Sequence, residues 1–147
     1  MRALGIDLGS KRIGVALSDS DGRLATPYDV VVRSKDKAAD RRRIAALASE
    51  TEAEILVVGL PLSLDGSSGR AADAAREEAR VLGKITGLPV ETWDERLSTV
   101  TAHHDLRAQG LDERARRKVV DQVAASVFLQ AWLDHRRSTH DPQDLSS

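Results

Sequence analysis

The chain has no cysteine among its 147 residues, and it has only one Phe, one Tyr and two Trp. Without cysteine there is no disulfide, no thiolate metal site and no cysteine nucleophile, which fits a reducing compartment. Because aromatic residues make up 3% of the chain, a surface that stacks nucleic-acid bases is not expected, and any nucleic-acid contact falls mainly on the backbone. No apolar run approaches the ~20 residues of a membrane span, and no signal-peptide pattern opens the chain. We therefore expect a cytoplasmic protein that does not enter a membrane.

An excess of one charge sign is also absent, since 22 Lys and Arg stand against 23 Asp and Glu. The formal net charge of −1 does not by itself indicate a nucleic-acid-binding protein. Basic residues are nevertheless clustered locally, and each cluster is either a solvated helix face or a nucleic-acid contact. The clusters are Arg41–Arg43, Arg114 with Arg116–Lys118, and Arg136–Arg137.

Length and composition fit one domain over residues 1–137, followed by a polar, flexible tail over 138–147. Hydrophobic periodicity and turn signals predict strands over 3–9, 12–18, 24–33, 55–60 and 88–93, and helices over 36–50, 70–86, 98–110 and 112–136. Pro27 favours an edge or an irregular start for the third strand. The apolar run ILVVGL over 55–60 is typical of a strand covered on both faces. This order predicts the α/β class, with a mixed sheet and helices on its faces.

Asp7 is an acidic residue inside the apolar stretch LGIDLGSKRIGVALSD. An unpaired buried carboxylate costs several kcal/mol or takes up a proton, so this residue needs a partner. Gly9, in the turn that follows, lets the backbone bend beside Asp7 and lets a phosphate approach closely. Lys11 and Arg12 come next and are either turn residues in solvent or phosphate contacts.

Two further acidic positions are candidates for the same site. Asp94-Glu95-Arg96 ends the last predicted strand, and functional groups collect at such carboxyl ends in α/β sheets. Asp121 lies on the flank of the apolar stripe of the last helix. A purely structural role is also open for each. The Asp94-Glu95 pair could form an ion pair with Arg96, and Asp121 could be an exposed helical residue. Whether Asp94 or Glu95 belongs to the site is open too.

Three carboxylates that converge on one point need cations between them to offset their repulsion. Hard divalent cations such as Mg²⁺ take oxygen ligands. Two of them can clamp the attacking water and the leaving oxygen of a phosphodiester displacement. Convergence of Asp7, Glu95 and Asp121 would therefore indicate a two-metal hydrolase, with an absence of clustered His arguing against zinc.

Four segments carry a family resemblance, and they occur in the order GIDLGSKRIGVALSD, VVGLPLSLDGSSGR, DERLSTVTA and KVVDQVAASVFLQAWLD. Together they closely resemble the YqgF/RuvX family from about Leu4 to Asp134. The resemblance implies an RNase H-like fold, in which a five-stranded mixed sheet has three antiparallel strands and then two parallel ones, with helices on both faces. It also implies that acidic metal ligands fall on Asp7, Glu95 and Asp121, with Mg²⁺ or Mn²⁺ as the cofactor.

The same segments contain further candidate substrate-binding residues. Asp65 lies in the loop after the fourth strand, where it suits substrate positioning and equally a cap of the next helix. Arg96 pairs either with a substrate phosphate or with Asp94. Ser98 can cap the predicted helix that begins there, and we include it among the substrate-binding candidates.

The resembling family is described as nucleases of the 16S ribosomal RNA precursor and as Holliday-junction resolvases. We therefore expect metal-dependent cleavage of structured RNA at the 5′ end of precursor 16S rRNA, in ribosome biogenesis. One alternative is a resolvase of branched DNA, which needs a two-fold dimer. Another is an RNA-binding ribosome-assembly module without catalysis. The first segment is also similar to the phosphate loop of actin-type ATPases, but those need two such domains, and this length supplies one. The expected partner is precursor rRNA or branched DNA, and the expected state is a monomer or a weak homodimer.

Overall fold

The computed structural model describes residues 1–61, 69–97 and 113–140, including the side chains of 123–139 in the last stretch. The described residues form one five-stranded sheet, three α-helices and one 3₁₀ turn. The strands are β1 (Ala3–Leu8), β2 (Arg12–Ser18), β3 (Ala25–Val32), β4 (Ile55–Leu60) and β5 (Val90–Asp94). The α-helices are α1 (Lys37–Glu50), α2 (Arg70–Thr86) and α3 (Glu113–His140), and the 3₁₀ turn is Glu95–Leu97.

The sheet has the strand order β3-β2-β1-β4-β5. β1 pairs antiparallel with β2, and β2 with β3, whereas β4 pairs parallel with β1 and with β5. The predicted mixed sheet, with three antiparallel strands followed by two parallel ones, is confirmed. β5 begins at Val90 and not at Leu88, because Gly87 ends α2 with a φ of 70° and Pro89 has no N–H to donate to a neighbouring strand.

The sheet is covered on both faces, which the apolar run in β4 predicted. All six residues of β4 are buried. Leu56 and Val58 pack in the core beneath α1 and α2, and Ile55 and Val57 pack beneath α3. Alternate residues of one strand thus stabilise the two layers in turn.

The edge strand β3 contains an irregularity at the proline. Val15 pairs with Asp29, and Ala16 pairs with Pro27, so Tyr28 is an extra residue in β3. Because proline lacks an N–H, it is tolerated at an edge or a bulge, and β3 has both features. The predicted edge position of Pro27 is confirmed.

The helices match the predicted ones closely. α2 has the predicted bounds, and α1 begins one residue later because Asp36 is its N-cap, with a side chain that accepts a hydrogen bond from the Ala39 N–H at 3.2 Å. α3 ends at His140, four residues beyond the predicted end. The predicted helix over 98–110 lies outside the described residues, as does most of the tail predicted from residue 138. Among the described helices, none is both long and apolar enough to cross a membrane.

Strand direction brings several connections to one end of the sheet, which we call the Asp7 end. β1, β4 and β5 finish there, β2 begins there, and β3 leads from there into α1. The opposite end carries the β2–β3 turn and the C-terminus of α2. The carboxyl ends of parallel strands in α/β sheets commonly hold functional groups, so the Asp7 end is the place to look for a site.

Candidate active site

Asp7 is a partly buried residue near the end of β1, opposite Gly14 of β2. Side chains alternate along a strand, so Asp7 shares a face with Gly5 and Ala3. Ala3 belongs to the core beneath α3, and a Cβ placed on Gly5 would lie 3.0 Å from Cβ of Leu129 in α3. Asp7 therefore faces the α3 side of the sheet.

The Glu95 side chain lies on the same side of the sheet, next to Gly59 of β4, which has no side chain of its own. A Cβ placed on Gly59 in β4 would lie 3.0 Å from Oε1 and 3.1 Å from Cδ of Glu95. The same Cβ would lie 3.0 Å from Cε2 of the buried Phe128 in α3. The Glu95 carboxylate thus rests in the space above Gly59, which the glycine leaves open.

The register of β1 and β4 relates this space to Asp7. Ile6 pairs with Val58, so Asp7 and Gly59 are the next residues along the two neighbouring strands. Neighbouring strands lie about 4.8 Å apart, and both residues lie on the α3 face. The structure therefore brings Asp7 and Glu95 to one face at one end of the sheet.

Asp94, the alternative to Glu95, has a different set of contacts. Its Oδ1 accepts hydrogen bonds from the backbone N–H and from Nε of Arg96, each at 3.0 Å. The Arg96 guanidinium holds the pKa of the Asp94 carboxyl below its usual value. The ion pair with Asp94 is one of the two roles considered for Arg96. Since Asp94 is engaged there, the geometry favours Glu95 as the acid that faces the sheet.

Asp121 lies within α3, and its side chain is outside the described ones. The direction of α3 gives the place of the position on the fold. Gln130 donates to the carbonyl of Arg23 in the β2–β3 turn at 2.8 Å, so the later part of α3 lies at the opposite end. Position 121 is about one helical turn before Ala125, whose carbonyl oxygen would lie 3.4 Å from a Cβ on Gly5. Going from Gln130 back toward position 121, α3 therefore runs toward the Asp7 end of the sheet.

The turn between β1 and β2 contains Gly9 and Lys11 of the predicted residues, and Arg12 begins β2 directly after it. A Cβ placed on Gly9 would lie 2.5 Å from the carbonyl oxygen of Arg12, so the turn excludes any larger residue there. The Gly9 carbonyl accepts a hydrogen bond from Nε of Arg33 at 2.6 Å. Lys11 is exposed and Arg12 is partly buried, and neither forms an ion pair with a described residue. Asp65 and Ser98 lie outside the described residues.

The basic clusters noted in the sequence are largely paired within the chain. The pairs are Arg41–Glu78, Arg43–Asp29, Arg136–Glu91 and Arg137–Asp134. The side chains of the cluster over 114–118 lie outside the described ones. Three of these pairs join a helix to another element, and only Arg137–Asp134 lies within one helix. The paired members of these clusters therefore make contacts within the fold.

Sequence reasoning did not single out Lys35 and Lys37, which line a cavity next to the β1–β2 turn. The cavity has a volume of about 640 Å³, and its lining includes Lys11, Arg12 and Arg33 as well. We call it the basic cavity. The signal was in the sequence, since two lysines flank Asp36, the N-cap of a helix, where acidic residues are electrostatically preferred.

The acidic side chains at the Asp7 end are of the kind that binds divalent cations. Carboxylate oxygens are the ligands that Mg²⁺ and similar hard cations prefer. The space above Gly59 provides room for the Glu95 carboxylate beside the strand that carries Asp7. Within the described part of the chain, which does not include the Asp121 side chain, no three His, Cys, Asp or Glu residues form a group that could hold a metal ion. Asp7, Glu95 and Asp121 are thus the residues that could hold the cation.

Comparison with known families matches residues 1–135 to the RuvX family, described as Holliday junction resolvases. A protein of Rhodococcus opacus (strain B4) with the name "Putative pre-16S rRNA nuclease" is 49% identical over 148 residues, which cover 98% of this chain and 83% of that protein. A protein of the same name from Myxococcus xanthus (strain DK1622) is 46% identical over 150 residues, covering 100% of this chain and 99% of that one.

The solved structure of Thermus thermophilus RuvC in complex with a Holliday junction substrate is similar in fold. Its TM-score is 0.59 at 18% sequence identity, and the match covers 95% of this chain and 97% of that chain. Fowlpox virus Holliday junction resolvase matches with a TM-score of 0.52 at 13% identity, covering 95% and 99% of the two chains. These two likenesses agree with the predicted RNase H-like sheet.

Proposed function

The chain belongs to the RuvX family, and from this premise we propose that it is a metal-dependent endonuclease that cleaves structured RNA, at the 5′ end of precursor 16S rRNA. The relatives from Rhodococcus and Myxococcus carry the name of a nuclease of that precursor, which supports the choice of substrate. The observation that carries the proposal is the Glu95 carboxylate in the space above Gly59, on the face and at the end of the sheet where Asp7 lies.

Asp7, Glu95 and Asp121 are the proposed ligands of Mg²⁺ or Mn²⁺. Cations held by these residues would supply Lewis-acid activation of a water and would stabilise the negative charge on the leaving oxygen of the phosphodiester. The chain's own part is to hold the acids in place. Asp7 is fixed by strand pairing on both sides of β1, and Glu95 is fixed by the 3₁₀ turn and by the space above Gly59. Their mutual repulsion favours cation binding.

Substrate contact is proposed for the turn beside Asp7. Gly9 lets the RNA backbone come close, and the charges of Lys11 and Arg12 attract its phosphates. Asp65 and Ser98 remain proposed contacts from the neighbouring loops. A chain with so few aromatic residues is suited to recognise RNA by its shape and its backbone. With precursor rRNA as the substrate, the proposed reaction takes place in the cytoplasm.

Cleavage of a four-way DNA junction is the second candidate, because the description of the matching family names Holliday junction resolvases. Symmetric cleavage of a junction needs two copies of the site related by a two-fold axis. The proposed acids all belong to one chain, so cleavage of RNA needs only a monomer. The two candidates therefore differ in substrate and in the required assembly.

The test uses the purified protein with an RNA fragment that spans the 5′ end of precursor 16S rRNA, and separately with a synthetic four-way junction. Each substrate is incubated with Mg²⁺ or with EDTA. We expect Mg²⁺-dependent cleavage of the RNA, loss of it in Asp7→Asn and Glu95→Gln, and most of it retained in Asp94→Asn. Asp94 is the matched control, because it adjoins Glu95 but pairs with Arg96.

Three results contradict parts of the proposal. Cleavage of the junction alone replaces RNA processing with junction resolution. Full activity of Asp7→Asn removes the assigned site. Binding of the RNA without cleavage of either substrate identifies a ribosome-assembly module and not an enzyme.

A further inference from the structure

The basic cavity lies between the β1–β2 turn and the connection from β3 to α1. Its lining includes five cationic side chains and one acidic side chain, namely Lys11, Arg12, Arg33, Lys35, Lys37 and Asp40. The charge of the cavity thus depends on whether these cations have partners within the chain.

Asp40 does not neutralise the lysines, because its carboxylate is engaged elsewhere. It is 8% exposed, and Oδ1 accepts hydrogen bonds from the backbone N–H of Ser34 at 3.2 Å and from its Oγ at 2.8 Å. Lys11, Lys35 and Lys37 form no ion pair with any described residue, and all three are exposed. Within the described part of the chain, the cavity therefore carries a positive charge that is not compensated.

Two of these cations lie at positions where their charge does not stabilise the fold. Lys37 is the first residue of α1, and Lys35 precedes the N-cap. A helix N-terminus attracts anions and repels cations. Arg33, in contrast, is held in place, since its Nε donates to the Gly9 carbonyl and its N–H to the Lys11 carbonyl at 2.9 Å. The cavity wall is thus attached to the turn that follows Asp7.

The cavity and the acidic residues lie at the same end of the sheet on opposite sides of the β1–β2 turn. Asp7 and Glu95 lie on the α3 side, and the cavity lies on the α1 side. A nucleic-acid strand that crosses the turn would contact the acidic residues on one side and the basic cavity on the other. We propose that the basic cavity binds a backbone phosphate of the RNA substrate, at a nucleotide outside the bond that is cleaved.

This proposal rests on the proposed function for the identity of the ligand as RNA. The lysines supply point charges, which fix the position of a backbone without reading its sequence. The cavity therefore contributes to affinity and to the path of the strand, and leaves the chemical step to the acidic residues. Its effect is expected in binding and in the salt dependence of binding.

The test compares two double variants that remove the same charge. Lys35→Gln with Lys37→Gln changes the cavity, and Arg23→Gln with Lys84→Gln removes two exposed cations at the opposite end of the sheet. Both are made in an Asp7→Asn background, so that bound RNA stays intact. The probe is a fluorescein-labelled fragment of the 16S rRNA precursor, and its Kd is measured by anisotropy over a series of KCl concentrations.

Loss of one phosphate contact makes the slope of log K against log salt less negative by about 0.7–0.9. This change corresponds to a Kd that is weaker by roughly four- to six-fold at ~0.15 M salt. We expect this change in the cavity variant and none in the control variant. Thermal unfolding checks that both variants fold. We expect a slightly higher Tm in the cavity variant, which loses cations at a helix N-terminus, and a slightly lower Tm in the control, which loses Lys84 from the last turn of α2.

Equal weakening by the two double variants would indicate a general charge effect and overturn the proposal, as would an unchanged Kd and slope in the cavity variant. If inorganic phosphate stabilises the parent chain but not the cavity variant, and RNA affinity does not change, the cavity is a small-anion site and the proposal is wrong. The two proposals fail separately. A chain that cleaves no nucleic acid can still show the cavity effect, and a chain that cleaves RNA normally can lack it.

Discussion

Replacing Gly59 with alanine puts a methyl group into the space that the Glu95 carboxylate occupies. The new Cβ would lie 3.0 Å from Oε1 of Glu95 and 3.0 Å from the buried ring of Phe128, so one of the two side chains has to move. Glu95 is partly exposed and starts a short 3₁₀ turn, whereas Phe128 is packed in the core beneath α3. We expect the carboxylate to give way, and its distance from Asp7 to increase.

The expected cost in stability can be worked out from the same contacts. Overpacking a core costs about 1–3 kcal/mol, and replacing a strand glycine with alanine returns about 0.5–1 kcal/mol of that. Gly59→Ala should therefore lower the free energy of unfolding by up to about 2.5 kcal/mol, a fall in Tm of up to roughly 10 °C. Gly5→Ala is the matched control, because its Cβ meets Leu129 at 3.0 Å on the same face without touching an acidic residue.

Gly59→Ala and Gly5→Ala should differ in how much Mg²⁺ raises the free energy of unfolding. A ligand at a hundred times its Kd raises the free energy of unfolding by about 2.7 kcal/mol. If displacement of Glu95 weakens metal binding by 10- to 100-fold, the gain at the same concentration falls to about 0.4–1.4 kcal/mol. We expect the full gain in Gly5→Ala and the reduced gain in Gly59→Ala, measured as the rise in Tm with Mg²⁺ and accompanied by slower RNA cleavage. Equal gains in both variants would refute the placement of Glu95 in a metal site.

Asp7→Asn should reduce RNA cleavage by ~10²-fold or more, the scale on which loss of one preorganised polar group acts, with far-UV circular dichroism unchanged. Arg96→Gln should cost up to about 1 kcal/mol at pH 7, the upper range for exposed pairs. The ion pair lowers the pKa of Asp94 in the folded state below 3.8, so its contribution is present above that pH and is lost as pH falls through the folded value. Urea unfolding over a series of pH values should show a difference that is largest at pH 7 and shrinks as the pH falls through the folded-state pKa of Asp94. Asp40→Ala should cost about 1–3 kcal/mol in urea unfolding, because it removes the hydrogen bonds that the N–H and hydroxyl of Ser34 donate to a carboxylate.

The elements of the fold could be predicted because their signals are local. A continuous apolar run predicts β4 with both faces covered, and the bounds of α2 follow from its glycine ends and its charged, alanine-rich pattern. Pro27 indicated an edge strand because a missing N–H has the same consequence in any sheet. The order of strands and helices predicted a mixed sheet, and the family resemblance agreed with it.

The site was harder to predict, because it depends on the register of β1 against β4 and on the space that Gly59 leaves open. Nothing near Gly59 in the sequence indicates that its missing side chain makes room for Glu95, which follows a different strand. The sequence likewise left Asp94 and Glu95 as alternatives, and the hydrogen bonds to Arg96 separate them. The two lysines that flank Asp36 gave a local signal, but their lack of an ion pair among the described residues depends on the fold and is not visible in the sequence.

The packing of α3 has a consequence for the order in which the protein is built. Ribosomes make a chain from its N-terminus, so the five strands with α1 and α2 emerge before α3. Until α3 arrives, one face of the sheet, with Ile55 and Val57, has no cover among the described elements. The nascent chain therefore displays an apolar surface in its last phase of synthesis, and it also lacks the helix that carries Asp121. A nuclease assembled in this way acquires its last proposed ligand only when its final layer closes.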